Sequence, residues 1–454
     1  MKVVRGIEEG LKALSRDSFL EVQAGSSGVM EGIQRIFGEA LTLEQVVGQI
    51  IHQVSNRGDI AVREYTKLID GVDLDILELD RGDIVRAVSE VPQETTDALR
   101  RASNRVREFH VACLPRPWMD MESGFGEMIT PIERVGIYIP GGMASYPSTV
   151  LMTAIPAKVA GVSEIIVATP PRKDQGPNPN VLAAAMITGV GRVFQVGGAQ
   201  AIAAMAYGTE SIPKVDMICG PGNIFVTTAK KMVYGQVNVD GLEGPTETMI
   251  IADEGANPVF CAADLLAQAE HDLLATPILV TTSPGLIPSI QDELQKQLEG
   301  LTRKNTAANS IDSRGVFVIV DSLDEAVHLA NHYAPEHLCL MIREPWSAVG
   351  KVRNAGGVFL GDYSPEAMGD YVAGPSHVMP TGGTARFNSS LGVGQFLKRT
   401  PLVALDLNTT LRFARTASTL ARTEGFDAHA RSVEVRVELQ DSESEGQSQL
   451  PRGL

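Results

Sequence analysis

Cysteine is scarce in this sequence, and the few cysteines form no motif. The chain has 4 cysteines in 454 residues, and they stand far apart at Cys113, Cys219, Cys261 and Cys339. A disulfide-rich secreted scaffold needs many more cysteines, and a thiolate zinc site needs them in closely spaced pairs. Both classes are therefore excluded, and a reducing cytoplasm is the expected compartment.

Positive charge and long apolar segments are also lacking. Lys and Arg total 39 against 55 for Asp and Glu, which gives a formal charge of −16, and no basic run is present. A nucleic-acid partner is therefore not expected. The first residues carry charges where a signal peptide needs an apolar core, and the apolar stretches are interrupted well short of the ~20 residues of a membrane span. We expect a cytoplasmic protein with no membrane contact.

The chain does contain a repeated strand–turn–helix pattern. Residues 1 to about 110 have apolar positions at three- and four-residue spacing, which predicts a helical N-terminal region. From Val135, four short apolar runs each end in glycine and precede a helical pattern, and further runs of this kind follow Gly244. This order predicts an α/β fold with two parallel sheets, followed from about Gly374 by a small C-terminal appendage.

The turns after the first set of predicted strands are rich in glycine. They read IYIPGG, QVGGAQ and CGPGN. In parallel sheets, ligands bind beyond the carboxyl ends of the strands, where these turns lie. None of the turns matches the GxGxxG dinucleotide fingerprint. The glycines are therefore compatible with a nucleotide-type ligand and also with tight turns alone.

Two pairs of polar residues suggest chemistry. Gln268 and His271 are three apart on a predicted helix and share a face, which suits two ligands of one metal but also the edge of a surface helix. Glu336 and His337 stand at the entry to a predicted strand. Because adjacent residues of a strand point to opposite faces, two separate roles are favoured for this second pair over one shared role, although an exposed turn also fits it.

Three further candidates are weak when taken singly. Asp370 lies in a glycine-flanked loop, and Glu424 and His429 lie near the C-terminus. A loop carboxylate is commonly a cap, and a terminal histidine is commonly solvated. Together with Gln268 and His271, however, Asp370 and His429 would supply the nitrogen and oxygen ligands that zinc accepts. Spacing alone does not bring them together.

An ordered series of motifs between residues 30 and 437 resembles the histidinol dehydrogenase family. In chain order the motifs are RVGIYIPGG, VGGAQAIAA, VDMICGPGN, GPTE, LLAQAEHD, YAPEHL, GDYVAGPSH and EGFDAH. The resemblance implies two incomplete Rossmann-like domains, which accounts for the missing GxGxxG fingerprint, and a homodimer. It also implies a zinc-requiring, NAD-dependent oxidation of L-histidinol through L-histidinaldehyde to L-histidine, the last step of histidine biosynthesis.

The resemblance further implies residue roles. His337 would be the general base, and Glu336 would activate water for attack on the aldehyde. The implied zinc ligands are Gln268, His271, Asp370 and His429. The implied NAD contacts are Tyr138, Gln200 and Asn223. The implied substrate-binding residues are Thr246, Gln268, His271, His337, Asp370, Glu424 and His429. Of these, Glu424 and His429 would reach the active site of the partner subunit.

One position departs from the family pattern. Thr246 stands where family members commonly have the serine of Gly-Pro-Ser-Glu. Threonine keeps the hydroxyl and adds a methyl group, so the pocket is either slightly tighter or shaped for another substrate. The alternative function is a dehydrogenase of the same scaffold that acts on another small alcohol, such as a sulfopropanediol. The presence of Glu424 and His429 favours an imidazole substrate.

The motifs and the resemblance together predict a domain organisation. The predicted parts are an N-terminal helical segment (1–29), an α/β catalytic domain with a helical N-terminal part (30–137 plus 244–385), a Rossmann-like NAD-binding domain (138–243), a dimer-crossing C-terminal segment (386–437) and a disordered tail (438–454).

Overall fold

The computed structural model describes residues 1–16, 27–38, 41–141, 145–173 and 176–448. The chain divides into two compact units. The first comprises Met1–Leu114 and Pro131–Phe396, and the second comprises Pro115–Thr130 and the chain from Leu397 onward. Within the described residues, no helix is both long enough and apolar enough to cross a bilayer.

Strands and helices alternate through most of the first unit. In chain order, the strands are β1 (Lys2–Arg5), β2 (Trp118–Asp120), β3 (Phe125–Pro131), β4 (Arg134–Tyr138), β5 (Glu164–Ala168), β6 (Arg192–Phe194), β7 (Met217–Cys219), β8 (Asn238–Val239), β9 (Glu247–Ala252), β10 (Thr276–Thr281), β11 (Val316–Ile319), β12 (His337–Met341), β13 (Gly357–Leu360) and β14 (Leu397–Val403). The helices span Ile7–Ala13, Ser27–Phe37, Leu43–Arg57, Asp59–Asp70, Arg81–Ser89, Gln93–Ala112, Pro147–Ala160, Pro179–Thr188, Gly198–Tyr207, Ile224–Val233, Pro258–Ala269, Leu286–Leu298, Lys304–Arg314, Leu323–Tyr333, Pro345–Val349, Glu366–Tyr371, Leu407–Thr423 and Asp427–Ser448.

One sheet of the first unit has five parallel strands in the order β6-β5-β4-β7-β8. The chain moves outward from β4 to β5 on one side and returns to β7 on the other, so the direction of winding reverses beside β4. Ligand crevices of open α/β sheets form at such reversals. Tyr138, at the end of β4, and the turn Gly220–Asn223 after β7 flank this point.

The other sheet has six parallel strands in the order β1-β11-β10-β9-β12-β13. Its middle strands are largely apolar, and all six residues of β9 are buried. Strands covered on both faces by helices have this composition. The prediction of α/β architecture with two parallel sheets is confirmed.

The N-terminal segment differs from its prediction as helix throughout. Lys2–Arg5 form an edge strand that pairs in parallel with Val316–Ile319, far along the chain. The short run KVVR has no helical periodicity to hold it, and a partner more than three hundred residues away supplies its hydrogen bonds. The predicted segment 1–29 also includes positions 17–26, which lie outside the described residues.

The predicted domain boundaries do not coincide with the compact units. Both parallel sheets belong to the first unit, and the second unit takes in residues 115–130 as well as the C-terminal region. Separation of 138–243 as an NAD-binding domain therefore remains a prediction.

The second unit contains a three-stranded sheet in the order β14-β3-β2 and a pair of helices. The helices Leu407–Thr423 and Asp427–Ser448 meet at Gly425, whose φ of 83° reverses the chain, and Arg422 donates to Glu434 at 2.9 Å between them. The second helix continues to Ser448, whereas a disordered tail was predicted from position 438. This stretch contains the good helix formers Glu, Gln and Leu, and Arg431 pairs with Glu438. Residues 449–454 lie outside the described residues.

Candidate functional site

The candidate site of the first unit is built around Glu336 and His337, where the chain enters β12. Their relative exposures are only 7% and 3%. Both lie at the amino end of their strand, next to Thr246 and Glu247 at the amino end of β9. This edge is opposite to the one at which open parallel sheets usually bind ligands, so strand order alone would not have located it.

Hydrogen bonds give the two side chains different surroundings. The Glu336 carboxylate accepts from the hydroxyl of Thr246 at 2.6 Å and from the backbone N–H of Glu247 at 3.1 Å. Nε2 of His337 lies 3.6 Å from Oδ1 of Asp370, and its Nδ1 lies 3.3 Å from the carbonyl oxygen of Glu247. Nδ1 is also 3.7 Å from the Glu336 carboxylate, so the two residues face different partners yet remain within electrostatic reach.

The buried charges shift the acidity of both groups. Burial raises the pKa of Glu336 to about 7, although the neighbouring imidazolium of His337 opposes the shift. Burial alone would lower the pKa of His337, but the carboxylates of Glu336, Glu366 and Asp370 raise it to about 10. A glutamate near neutrality and a histidine whose charge depends on adjacent carboxylates are typical of proton-transfer sites.

Three predicted metal ligands, Gln268, His271 and Asp370, lie in the first unit, as does this pair. Gln268 is 1% exposed in the last turn of the helix Pro258–Ala269, and its Nε2 has no hydrogen-bond partner. His271 lies just beyond the end of that helix, where its N–H donates to the carbonyl oxygen of Gln268 at 3.3 Å. Its imidazole interacts electrostatically with Asp370 and His337. The structure thus brings His271 and Asp370 within electrostatic reach of His337.

The imidazole of His337 affects the acidity of the Asp370 carboxyl. Burial would raise the pKa of Asp370, but the contact with His337 holds it below its ordinary value, so the carboxylate stays charged. An amide, an imidazole and a charged carboxylate are ligands that zinc accepts.

The remaining predicted ligand, His429, and the predicted substrate residue Glu424 belong to the second unit. Both side chains are exposed, and the His429 ring lies 5.2 Å from the ring of Phe426. Among the residues that the structure describes, no group of three or more His, Cys, Asp or Glu side chains is arranged to hold a metal ion. The full set of four ligands is therefore not assembled within one unit of a single chain.

The three predicted cofactor residues lie around the five-stranded sheet. The hydroxyl of Tyr138 accepts from the N–H of Gly198 at 3.1 Å. Gln200 is fully buried, and neither atom of its amide has a hydrogen-bond partner. Asn223 caps the helix Ile224–Val233 by accepting from two backbone N–H groups. Because a buried amide without partners is costly, Gln200 fits a position that a polar ligand completes.

Sequence analysis missed two residues of this site. Glu366 is 2% exposed and accepts a hydrogen bond from Thr248, the residue paired with His337 across the strands. Burial raises the pKa of Glu366 to about 8. Nδ1 of His377 donates to the carbonyl oxygen of Asp370 at 2.8 Å, and its Nε2 accepts from the hydroxyl of Thr149 at 3.2 Å. Glu366 stands one helical turn before Asp370 and His377 ends the motif GDYVAGPSH, and these were the available signals.

Comparisons with known proteins identify the family of this chain. The family model for histidinol dehydrogenase matches residues 35–437. The histidinol dehydrogenase of Deinococcus radiodurans is 49% identical over 441 residues, which cover 96% of this chain and 100% of that protein. That of a Synechococcus species is 47% identical over 403 residues, covering 88% of this chain and 93% of the relative. The crystal structure of histidinol dehydrogenase from Elizabethkingia anophelis aligns with a TM-score of 0.90 at 33% identity, covering 97% of this chain and 99% of the other. The chain belongs to the histidinol dehydrogenase family.

Proposed function

We propose that this chain is an NAD-dependent dehydrogenase that oxidises L-histidinol through L-histidinaldehyde to L-histidine. Matches of 45–49% identity to histidinol dehydrogenases over most of the chain support this reaction. The observation that carries the proposal is the buried pair Glu336 and His337 facing Asp370, because it places two distinct proton-transfer groups beside candidate metal ligands.

In the first oxidation, the neutral form of His337 would take the proton of the substrate hydroxyl, and NAD would accept the carbon-bound hydrogen as hydride. This step forms the aldehyde. A metal ion held by Asp370 would offset part of the carboxylate charge that raises the pKa of His337. In the second oxidation, Glu336 takes a proton from water as the water oxygen attacks the aldehyde carbon. The hydrate anion formed in this way would lose its carbon-bound hydrogen as hydride to a second NAD, and its C–O⁻ group would become the carbonyl of the acid. A glutamate with a pKa near 7 suits the water-activating role at neutral pH.

Zinc fits the residues around His337. Gln268 through its amide oxygen, His271 and Asp370 would hold it, with His429 from a partner subunit. The imidazole of His271 and the charged carboxylate of Asp370, which interact electrostatically, are the observation that supports this site. When bound, zinc would supply positive charge that orients the amino and imidazole nitrogens of the substrate and offsets the carboxylate of Asp370. Other divalent ions share these ligand preferences.

NAD would bind at the winding reversal beside β4. Tyr138, Gln200 and Asn223 would contact it, and the orphaned amide of Gln200 is the feature of the described residues that supports this best. The protein would position the cofactor, and the cofactor would carry the hydride.

The substrate would contact Thr246 and Glu424 in addition to the metal ligands and His337. The hydroxyl of Thr246 already donates to Glu336, so the departure from serine keeps the polar group where it orients the catalytic carboxylate. The matches to histidinol dehydrogenases favour histidinol over the alternative, another small alcohol on the same scaffold.

A homodimer in the cytoplasm would complete the site. Glu424 and His429 would then reach the active site of the partner subunit. Apolar side chains on the helix Leu407–Thr423 support a second copy of this chain as the partner, because Leu411, Phe413 and Leu420 are 41%, 49% and 59% exposed.

The proposed function is tested by comparing NADH formation from L-histidinol and from a sulfonated propanediol with the purified, zinc-loaded protein. We expect rapid NADH formation from histidinol and none above background from the sulfonate. The reverse preference would replace the proposed substrate with the alternative one.

A further inference from the structure

A buried lysine, Lys230, lies outside the chemistry described so far. It projects from the helix Ile224–Val233 and is 1% exposed. Its ammonium group lies 2.5 Å from Asp240 and 2.7 Å from Glu243, and it donates to the carbonyl oxygen of Gly220 at 3.1 Å. All three of its N–H groups therefore have acceptors.

Lys230, Asp240 and Glu243 form a buried charged cluster, and two of its members, Lys230 and Asp240, bind the turn after β7. The carbonyl oxygen of Gly220 accepts from Lys230, and the N–H of Gly220 donates to Asp240 at 2.7 Å. Both backbone groups of the glycine are thus held by charged partners. Gly220 opens the segment that ends at Asn223, the helix cap assigned to the cofactor.

The third member of the cluster, Glu243, belongs to the segment that leads into β9. The carbonyl oxygen of Glu243 accepts from the hydroxyl of Thr227 at 3.1 Å, and its side chain pairs with Lys230. Gly244 follows directly and donates to Thr381 at 2.6 Å. Two residues later, Thr246 donates to the catalytic candidate Glu336.

Placing one ammonium and two carboxylates in the interior is costly, and apolar replacements of buried ion pairs are often no less stable. Stability alone is therefore a poor reason for this cluster. Its contacts are divided between two segments with different assigned ligands, which is the arrangement expected of a group that sets geometry.

We propose that Lys230 is a positioning residue that, through Asp240 and Glu243, holds the cofactor turn Gly220–Asn223 and the substrate loop Gly244–Thr246 in one fixed arrangement. This rests on the proposed roles of Asn223 and Thr246. Hydride transfer requires the two ligands to meet with correct distance and orientation, so loosening either segment reduces turnover and weakens both ligands.

The test compares Lys230→Met with Lys231→Met, which removes the same charge from an exposed position of the same helix. For each purified, zinc-loaded protein, the KM for NAD, the KM for L-histidinol, kcat, zinc content and thermal unfolding are measured. We expect Lys230→Met to raise both KM values about tenfold and to lower kcat, with zinc content unchanged. We expect Lys231→Met to match the wild type.

A second, milder variant keeps the proposal testable if Lys230→Met does not fold. Asp240→Asn keeps the side-chain shape but removes an acceptor and a charge, and we expect smaller increases in the same two KM values. A folded Lys230→Met with lower thermal stability and unchanged KM values would overturn the proposal, because the cluster would then be purely structural. Absence of histidinol oxidation by the wild type would instead refute the proposed function. In that case NAD binding measured by calorimetry still decides, since equal affinities in Lys230→Met and Lys231→Met would overturn the positioning role.

Discussion

At the scale of single residues, the proposed reaction depends on Glu336 and His337, two adjacent buried residues whose side chains have different partners. Glu336 is held by Thr246 and a backbone N–H, whereas His337 is held between a carbonyl oxygen and Asp370. Adjacent positions on a strand make this separation possible, because each side chain meets a different part of the surrounding protein. The start of β12 can therefore supply two proton acceptors, His337 for the alcohol and Glu336 for water.

Replacing His337 tests the first of these roles. We expect His337→Ala to lower kcat with L-histidinol by about 10²–10⁴-fold, the usual contribution of a positioned proton-transfer group. Zinc content should remain that of the wild type, since His337 is not an assigned ligand. His332→Ala, which changes an exposed histidine nearby, is the control and should retain full activity. Wild-type turnover in a zinc-loaded His337→Ala protein would remove His337 from its role.

A second residue-scale prediction concerns His110, which is 1% exposed and has no hydrogen-bond partner for either ring nitrogen. Burial lowers the pKa of His110 to about 4 from an ordinary value of 6.5. The unfolded chain therefore binds a proton more readily than the folded one, and stability from this group is present above pH 6.5 and is lost as the pH falls towards 4.

We accordingly expect His110→Leu to unfold at a lower pH than the wild type in an acid titration followed by circular dichroism. At neutral pH its stability should change little, because a buried imidazole without partners is replaced by an apolar side chain of similar size. His52→Leu alters an exposed histidine and should leave the acid midpoint in place. Equal midpoints for His110→Leu and the wild type would contradict the account.

At the scale of elements, the turn after β7 is the most constrained segment near the proposed cofactor. Gly220 has a φ of 112°, and a Cβ atom added there would lie 2.1 Å from the carbonyl oxygen of Tyr138. Gly220→Ala therefore meets both backbone strain and a backbone clash. We expect it to destabilise the protein by about 3 kcal/mol or more and to weaken NAD binding.

The control for this variant is Gly235→Ala. Gly235 has a φ of 98° but no atom within 4 Å of an added Cβ, so its substitution measures the strain without the clash. Thermal unfolding of both variants should show the smaller loss for Gly235→Ala, with NAD binding intact. An equal loss in the two variants would mean that close approach to Tyr138 does not matter.

The same scale shows what the sequence could predict. Short apolar runs such as the MIIA of β9 indicate buried strands by composition, and the repeated order of strands and helices predicts parallel sheets. Lys2–Arg5 escaped prediction because a four-residue edge strand is defined by its distant partner, not by its own pattern. The helix through Ser448 was missed because polar composition is shared by tails and exposed helices.

The residues of the site can be predicted from the sequence, but their burial and contacts cannot. The assigned residues stand in motifs that resemble those of a family, so they could be named from the sequence. Glu366 and Lys230 are charged residues of types that usually lie on the surface, and only the tertiary structure shows that both are almost fully buried. The positions of His271 beyond its helix and of Glu336 at the amino end of the sheet likewise depend on contacts between distant segments.

At the scale of the whole molecule, the assigned ligands are divided between two compact units. The proposed homodimer predicts complementation between subunits. His337→Ala and His429→Ala proteins should each be inactive, because each lacks a required group. If His429 acts across the dimer, a mixed dimer has one site with both residues intact, and random subunit exchange should restore about a quarter of wild-type activity.

The complementation is measured by mixing the two variants, allowing subunits to exchange and following NADH formation. As a control, each variant alone is taken through the same exchange procedure and should stay inactive. Failure of the exchanged mixture to gain activity, with mixed dimers detected by mass spectrometry, would place His429 in the site of its own chain.

The most direct test of the central claim is the amount of NADH formed per mole of L-histidinol consumed by the purified, zinc-loaded protein. The account predicts two NADH for each histidinol, loss of the reaction after chelation and its return when zinc is restored. Histidinol left unconsumed by a folded, zinc-loaded protein, or activity that survives complete removal of the metal, would contradict it.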